Sequence, residues 1–326
     1  MKKLLLGLAA GALALSATAA MAQDKISLQL KWVPQAQFAG YFVAEAKGFY
    51  DEENLDVTLL SGGPNISVPQ VMAGGGANIA IEWMASALVA REKGVPLVNI
   101  AQPYKRSALM MICPTETGIT SVADFPGHTL GVWFFGNEYP FFAWMNKEGL
   151  ATDGSEGGVT VLQQSFDIQP MIQGQADCIS VMTYNEYGQA LDAGYSPDNL
   201  TIFNYTEMGN DLLEDGLYVL EDTLEDPAMV DAYTRFVRAS MKGWQYALEN
   251  PEEAAQIVVD MDETGAAEYD HQVYMASEVT KLVDPTDPAL NVETYERTAK
   301  ALLDQSIITA EPSGAYTTVI TDALKN

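Results

Sequence analysis

Hydrophobic and polar residues alternate along the first third of the chain in a pattern typical of strands separated by short helices. Residues 26–30 predict a first strand, and residues 55–60 and 79–81 predict two more. Helical spacing covers residues 38–47, and a shorter helix is expected at residues 68–73. This order of strand and helix predicts an open, mostly parallel α/β sheet.

The same layout recurs in the middle of the chain. Residues 129–132, 159–162 and 178–182 predict strands, and residues 141–148 and 167–172 predict the helices between them. Because two copies of one α/β unit each need their own core, the repeat predicts two lobes of similar construction.

Two segments are expected to connect these lobes. The apolar run over residues 98–113 predicts a crossing from the first lobe to the second, and a strand at residues 217–220 predicts the return. Four amphipathic helices are then expected to pack on the first lobe: residues 227–246, 251–260, 270–281 and 293–303. We therefore predict lobe 1 from residues 23–112 and 208–326, and lobe 2 from residues 113–207.

Residues 1–22 have the features of a secretory signal peptide. Lys2-Lys3 precede an apolar run over residues 4–15, and Ala20-Met21-Ala22 predicts cleavage before Gln23. The short apolar run with two lysines is typical of a bacterial leader, so we expect a periplasmic protein. No later segment approaches the roughly 20 apolar residues that a membrane span needs.

The chain is strongly acidic, with 44 Asp and Glu residues against 17 Lys and Arg residues. Loss of the leader changes the formal net charge from −27 to −29, because the leader contains two lysines and no acidic residue. This balance excludes a nucleic-acid partner, since no basic face is available to displace counterions from phosphates.

Two cysteines and two histidines limit the redox and metal chemistry. Cys113 and Cys178 can pair in an oxidising compartment, but both lie in apolar runs. We therefore favour free, buried thiols and leave a disulfide open. His128 and His271 have no Cys or His at zinc spacing and fall outside the predicted cleft loops, so we expect no metal site and structural roles for both. No hydrolase elbow, phosphate-binding loop or metalloprotease motif is present, so we predict no catalytic residues and no cofactor.

Five segments follow the carboxyl ends of the predicted strands, where open α/β sheets bind ligands. They are residues 32–41, 62–65, 82–84, 133–138 and 184–186. Together they contain three tryptophans, several amides and three carboxylates, and Lys31 is the only cation beside them. From these segments we predict the following ligand-binding residues: Trp32, Gln37, Tyr41, Asn65, Glu82, Trp83, Trp133, Phe135, Asn137, Glu138, Tyr184 and Glu186.

The loop at residues 133–138 is the richest of these segments. Its three consecutive aromatic residues cannot all enter one core, because neighbours at a strand end point to opposite faces. Gly136 lets the backbone bend and Asn137 is a good helix N-cap. Rings for stacking beside a carboxylate and an amide suit a flat heterocycle with hydrogen-bonding edges.

The balance of charges narrows the class of ligand. A small inorganic or sulfonate anion would need more basic side chains than Lys31. A neutral or amine-bearing aromatic ligand fits better, because its N–H donors would satisfy carboxylates that are costly to bury. A quaternary amine or polyamine held in an aromatic cage also fits acids beside tryptophans.

Residues 32–44 (WVPQAQFAGYFVA) and 47–50 (KGFY) resemble periplasmic substrate-binding proteins of the thiamine-pyrimidine-precursor family. These proteins serve ABC importers and are related to the fungal thiamine pyrimidine synthase. The resemblance covers nearly the whole chain after the leader. It implies a two-lobed type II periplasmic binding fold, in which each lobe is a mostly parallel sheet flanked by helices and the ligand cleft between the lobes closes about a hinge.

The resemblance also implies roles for individual residues. In the family, a Trp and a Tyr near the first strand stack on a pyrimidine, and an acidic residue after the second lobe's first strand binds its amino groups. Trp32, Tyr41 and Glu138 match these positions. The Cys-rich motif of the synthase branch is absent from this sequence, so the resemblance implies a binding protein rather than an enzyme.

We therefore predict a monomeric periplasmic receptor that captures a pyrimidine-type heterocycle by hinge closure and delivers it to an inner-membrane ABC permease. The family also contains binders of flavins and pyrimidine bases, so the exact ligand stays open. The alternatives are a flavin, a cationic amine, or a synthase-like enzyme.

Overall fold

The computed structural model describes residues 22–325. The predicted signal peptide therefore lies outside the described residues, apart from Ala22. Within the described range the chain forms ten β-strands: β1 (Asp24–Gln29), β2 (Leu55–Leu60), β3 (Ile79–Glu82), β4 (Leu97–Ala101), β5 (Leu109–Pro114), β6 (Thr129–Val132), β7 (Thr160–Gln163), β8 (Cys178–Met182), β9 (Leu200–Asn204) and β10 (Gly216–Leu220).

The strands form two five-stranded sheets that share one topology. The order is β2-β1-β3-β10-β4 in the first sheet and β7-β6-β8-β5-β9 in the second. In each sheet the first three strands are parallel, while β10 and β5 run antiparallel to both of their neighbours. This confirms two mostly parallel sheets. We call the first sheet with its helices lobe 1, and the second sheet with its helices lobe 2.

The antiparallel strands are the ones by which the chain changes lobe. Strand β5 follows β4 of lobe 1 but pairs with β8 and β9 in lobe 2. Strand β10 follows β9 of lobe 2 but pairs with β3 and β4 in lobe 1. The predicted crossing and return are thus both present. Strand β5 begins at Leu109, ahead of the predicted boundary at residue 113, and the exact lobe boundaries stay a prediction.

Within residues 22–325, twelve α-helices lie between and beyond these strands: α1 (Ala39–Ala46), α2 (Phe49–Glu52), α3 (Val68–Ala73), α4 (Met84–Glu92), α5 (Tyr139–Glu148), α6 (Gln169–Ile172), α7 (Glu186–Asp192), α8 (Pro227–Glu249), α9 (Pro251–Met261), α10 (Tyr269–Val279), α11 (Val292–Asp304) and α12 (Val319–Ala323). Helices α8 to α11 correspond to the four amphipathic helices of the prediction. Helix α4 was not predicted, because residues 84–90 are all buried and no polar face creates a helical period.

Helix α8 packs tightly against α1 on lobe 1. A Cβ atom at Gly40 would lie 2.2 Å from the Trp244 ring, and one at Gly243 would lie 2.0 Å from the Gly40 carbonyl oxygen. Only glycine allows this approach of the two backbones. The next residue, Tyr41, is consequently buried between the rings of Phe236 and Trp244, with centroid distances of 6.4 Å and 5.7 Å.

The two cysteines form a disulfide, so the preference for free thiols is wrong. Cys113 and Cys178 lie on the antiparallel neighbours β5 and β8, with their Cα atoms 4.2 Å apart. An apolar run describes the surroundings of each thiol but carries no information about which strands pair. The bond closes a loop with a sequence separation of 65 residues inside lobe 2.

Among residues 22–325, no helix combines the length and the apolar character required to cross a bilayer.

Candidate functional site

A small cavity lies between the two lobes, at the carboxyl ends of β1 and β3 in lobe 1 and of β6 and β8 in lobe 2. Its volume is about 20 Å³, which is room for roughly one water molecule. The cavity is lined by Lys31, Trp32, Gln35, Gln37, Trp83, Trp133, Asn137, Met182, Tyr184, Asn185 and Glu186. Both halves of the internal repeat therefore contribute to one site.

Aromatic rings from both lobes form the apolar part of the wall. Trp32 of lobe 1 meets Trp133 of lobe 2 edge to face, with ring centroids 5.9 Å apart. The indole N–H of Trp133 donates to the carbonyl oxygen of Ser165 at 2.7 Å, which fixes the plane of the ring. Trp133 can therefore offer apolar ring surface to a ligand while its N–H is satisfied by the protein.

Asp215 positions two wall residues from behind. Its carboxylate accepts hydrogen bonds from the Trp83 indole at 2.9 Å and from the Gln37 amide at 2.6 Å. Gln37 in turn accepts from the Gln35 amide at 2.7 Å. Burial raises the pKa of Asp215 to about 6, against the lowering effect of the Gln37 hydrogen bond and the Lys31 charge.

Asn185 and Glu186 form the polar end of the cavity on lobe 2. The Asn185 amide donates to the Glu186 carboxylate at 2.8 Å and approaches the Gln35 oxygen of lobe 1 at 3.4 Å. His271, on α10 of lobe 1, lies behind the wall with its Nε2 atom 2.8 Å from the Asn185 side-chain oxygen. These contacts connect the two lobes through one amide side chain.

Lys31 and Glu82 form an ion pair within the lobe 1 wall. Lys31 Nζ lies 2.5 Å from Glu82 Oε1, and the two side chains are 2% and 0% exposed. Glu82 also accepts a hydrogen bond from the Trp83 backbone at 2.8 Å. Of the described residues that line the cavity, Lys31 alone carries a basic side chain.

Two buried glutamates have strongly perturbed acidities. Burial raises the pKa of Glu186 to about 8, although hydrogen bonds such as the one from the Met182 backbone favour its charged form. Burial likewise raises the pKa of Glu214 to about 8. Glu214 lies on the return connection, just before β10. Its carboxylate accepts hydrogen bonds from the Ser107 hydroxyl and the Ala108 backbone N–H on the crossing connection, just before β5.

These acidities predict that the protein loses stability as the pH rises from about 5 to about 8. Between the ordinary carboxyl value and the raised value, the folded chain holds a proton that the unfolded chain releases, so the free energy of unfolding falls with pH. We expect Glu214→Gln to make this slope shallower by up to about 1.4 kcal/mol per pH unit within that range, because it removes one proton that the folded chain holds and the unfolded chain releases. Urea denaturation at several pH values would measure it, and an unchanged slope in the variant would contradict the assignment.

Seven of the twelve predicted ligand-binding residues line the cavity: Trp32, Gln37, Trp83, Trp133, Asn137, Tyr184 and Glu186. Glu82 lies in the wall directly behind them, where it pairs with Lys31. The remaining four, Tyr41, Asn65, Phe135 and Glu138, do not line the cavity.

Tyr41 and Asn65, which we predicted to face the ligand, both lie away from this cavity. Tyr41 lies in the core of lobe 1, because α1 turns this side chain toward α8. Asn65 is exposed on the loop that follows β2, which is an edge strand of the first sheet. Both residues follow strands as predicted, but neither points to the interface between the lobes.

Phe135 and Glu138 lie on an outer groove instead. The groove has a volume of about 500 Å³ and is lined by residues 134–136, 138–139 and 163 of lobe 2 and by residues of α3 and α4. A turn with φ values of 62° at Phe135 and 106° at Gly136 separates these residues from Trp133. The Glu138 carboxylate accepts from the Gly136 backbone N–H at 2.7 Å, so it stabilises the turn.

Several residues of the site were not among the twelve. Lys31, Gln35 and Asn185 lie in or beside the predicted cleft segments, and their polar side chains were the available signal. Met182 ends β8, and its strand pattern gave no sign of a role in the cavity. Asp215 precedes β10 on the return connection, and only the strand order of the first sheet brings it behind Gln37 and Trp83.

Relatives include both binding proteins and an enzyme. The formylaminopyrimidine-binding protein of Halalkalibacterium halodurans is 24% identical over 241 residues, covering 73% of this chain and 71% of the relative. Riboflavin-binding protein RibY of Chloroflexus aurantiacus is 27% identical over 240 residues, covering 71% of this chain and 64% of RibY, just under two thirds of its length. The 4-amino-5-hydroxymethyl-2-methylpyrimidine phosphate synthase of Legionella pneumophila is 22% identical over 252 residues, covering 72% of this chain and 73% of the synthase.

A solved structure supports the fold independently of sequence. The periplasmic aliphatic sulphonate binding protein SsuA from Escherichia coli superposes with a TM-score of 0.65 at 12% identity, covering 89% of this chain and 90% of SsuA. This likeness confirms the predicted periplasmic binding protein fold. The family described as NMT1/THI5 like matches residues 35–254. Since this match spans more than half of the sequence, the chain belongs to the NMT1/THI5-like family.

Proposed function

We propose that the protein is the solute-binding receptor of an ABC importer and captures a pyrimidine-type heterocycle between its lobes. The observation that carries this proposal is the cavity wall, in which Trp32, Trp83 and Trp133 converge from both lobes beside the carboxyl group of Glu186. Rings suit the faces of a planar heterocycle, and Glu186 and the amides suit its N–H and acceptor edges. Relatives that bind formylaminopyrimidine and riboflavin support the same ligand class.

Capture would require the lobes to separate. A cavity of about 20 Å³ cannot admit an aromatic ring, since it holds roughly one water molecule. The two connections between the lobes are the natural hinge. A ligand that contacts both lobes would favour the closed form, because a ligand shifts an equilibrium only by its difference in affinity for the two states.

Calorimetry with aminopyrimidines, nucleobases and flavins tests this proposal. We expect saturable one-to-one binding of at least one planar heterocycle, together with a rise in the unfolding temperature. No response from any aromatic heterocycle would contradict the proposal.

Glu186→Gln is expected to weaken binding of the preferred heterocycle about tenfold. The pKa of about 8 leaves this carboxyl group largely protonated before binding. N–H donors of a ligand would favour its charged form, and a glutamine cannot supply a charged acceptor. Glu138→Gln is the matched control on the same lobe. Its carboxylate contacts the Gly136 backbone and faces the outer groove, so we expect affinity within twofold of the wild type. Isothermal titration would measure both variants. A larger loss in Glu138→Gln would move the ligand to the groove.

A cationic amine is a second candidate. Glu186 lines the cavity within hydrogen-bonding reach of an amide and a backbone N–H, and no described salt bridge joins it to a basic residue. A carboxylate beside tryptophan rings suits an ammonium group. Titration with choline and putrescine distinguishes this candidate from a neutral heterocycle. A receptor for cationic amines should bind these two compounds in preference to neutral heterocycles.

The remaining steps belong to the same proposal. The receptor would be exported by its signal peptide, act as a monomer in the periplasm, and deliver its ligand to an inner-membrane permease. Mass spectrometry of the exported protein should give a chain that begins at Gln23. An enzyme of pyrimidine synthesis is the competing class, and a cofactor absorbance band in the purified protein would favour it.

A further inference from the structure

The ammonium group of Lys31 has unused hydrogen-bonding capacity at the ligand cavity. An ammonium carries three N–H donors, and the ion pair with Glu82 supplies one carboxylate oxygen at 2.5 Å. Within residues 22–325, Lys31 Nζ has no hydrogen-bond acceptor beyond this carboxylate. Lys31 lines the cavity although its side chain is only 2% exposed. Its remaining donors therefore lie in the wall of the cavity without a protein acceptor.

The surroundings of Lys31 are buried and closely packed. The Trp83 ring centroid lies 5.9 Å from Nζ. Gly136 of lobe 2 closes over the same region, since a Cβ atom there would lie 3.5 Å from Nζ and 2.2 Å from the Ser86 hydroxyl. In such a setting a hydrogen bond from an ammonium is strong, and an unused donor is costly.

Stability alone gives no reason for a lysine at this position. Burying an ion pair costs several kcal/mol per ion in desolvation, and apolar residues of similar volume often give equal or greater stability. The two lobes also differ in chemistry at the cavity. Lobe 1 contributes the cation Lys31, and lobe 2 contributes the carboxyl group of Glu186.

We propose that the ammonium of Lys31 selects heterocycles that carry a hydrogen-bond acceptor, such as a ring carbonyl, on the edge that faces lobe 1. The N–H donors of the same ligand face Glu186 on lobe 2. The inference rests on the proposed function and narrows it to heterocycles that bear both oxo and amino groups. A purely cationic ligand would place positive charge against Lys31, so this class is disfavoured.

The test compares two ligands that differ in one acceptor group. Cytosine carries a ring carbonyl in addition to an amino group, whereas 4-aminopyrimidine carries the amino group alone. We expect the wild-type protein to bind cytosine roughly tenfold or more tightly than 4-aminopyrimidine, the effect of one hydrogen bond to a charged group. Titration calorimetry would measure both affinities.

The variant must remove the ammonium without leaving Glu82 as an unpaired buried charge. Lys31→Met combined with Glu82→Gln removes both charges and nearly preserves volume. We expect this paired variant to fold, as circular dichroism would verify, and to bind the two ligands within about threefold of each other. Lys93→Met is the control, because this exposed lysine lies on α4's side of the outer groove and should leave the tenfold preference intact.

The possible outcomes separate the two proposals. Equal wild-type affinities for the two ligands, or a preference retained by the paired variant, would overturn the role of Lys31 while leaving the receptor proposal standing. No binding of either ligand or of any other heterocycle would overturn the receptor proposal, and the role of Lys31 with it.

Discussion

Replacing Trp133 with alanine is expected to weaken binding of a planar heterocycle roughly 100-fold, the loss typical of an aromatic residue at the centre of a binding site. The ring lines the cavity and meets Trp32 of the opposite lobe at 5.9 Å, so its removal takes away both a stacking surface and a contact that favours closure. Titration calorimetry would give the affinity. Trp133→Phe, which keeps a ring, should lose less than the alanine variant.

Phe135→Ala is the matched control for this prediction, because it removes an aromatic ring two residues further along the same loop. Phe135 is 40% exposed and lines the outer groove, so we expect its loss to change affinity less than twofold. Trp133→Ala also leaves a void and should lower the free energy of unfolding by about 3 kcal/mol. Binding must therefore be measured well below the unfolding temperature. A stronger effect at Phe135 than at Trp133 would place the ligand in the outer groove rather than in the cavity.

Removal of the disulfide should have the largest effect on stability. Cys113→Ala combined with Cys178→Ala opens a loop with a sequence separation of 65 residues, for which chain entropy predicts a loss of about 4 kcal/mol in the free energy of unfolding. Urea denaturation of the oxidised protein and of the double variant would measure the loss.

A reductant provides the control for the disulfide. It should destabilise the wild-type protein and leave the double variant unchanged, since only the wild type has a bond to reduce. Thiol titration of the unfolded, unreduced protein should detect no free thiol. Two titratable thiols would contradict the bond.

The fold could be predicted from the sequence because its main signals are local. Short apolar runs separated by glycine and helical spacing identified the strands, and their repetition identified two lobes. The fully buried helix α4 gave no periodic signal. The pairing of Cys113 with Cys178 depends on β5 and β8 becoming neighbours, which residues far apart in sequence decide.

The site could be predicted only for residues close to the end of a strand, because there the strand itself determines where the side chain points. Residues immediately after a central strand, such as Trp32, Trp83 and Trp133, line the cavity as predicted. Residues further along depend on local turns. The Glu138 carboxylate accepts a hydrogen bond from the Gly136 backbone N–H, and α1 directs the Tyr41 side chain into the core of lobe 1. The sequence contains no signal for Asp215, because this residue reaches Gln37 and Trp83 only when β10 pairs with β3 of lobe 1, far from it in sequence.

The position of β10 has a consequence for how the molecule assembles. All five strands of lobe 2 lie within one continuous stretch of chain, residues 109–204, whereas β10 fits between β3 and β4 of lobe 1. A chain that emerges from its N-terminus, whether from the ribosome or through a membrane, can complete the second sheet before the first. Until residues 216–220 arrive, β3 and β4 keep unpaired backbone edges, the kind of surface on which strands of other chains pair. Lobe 1 is therefore synthesised first but completed last, and the unpaired edges of β3 and β4 are where we expect aggregation of the incomplete chain to begin.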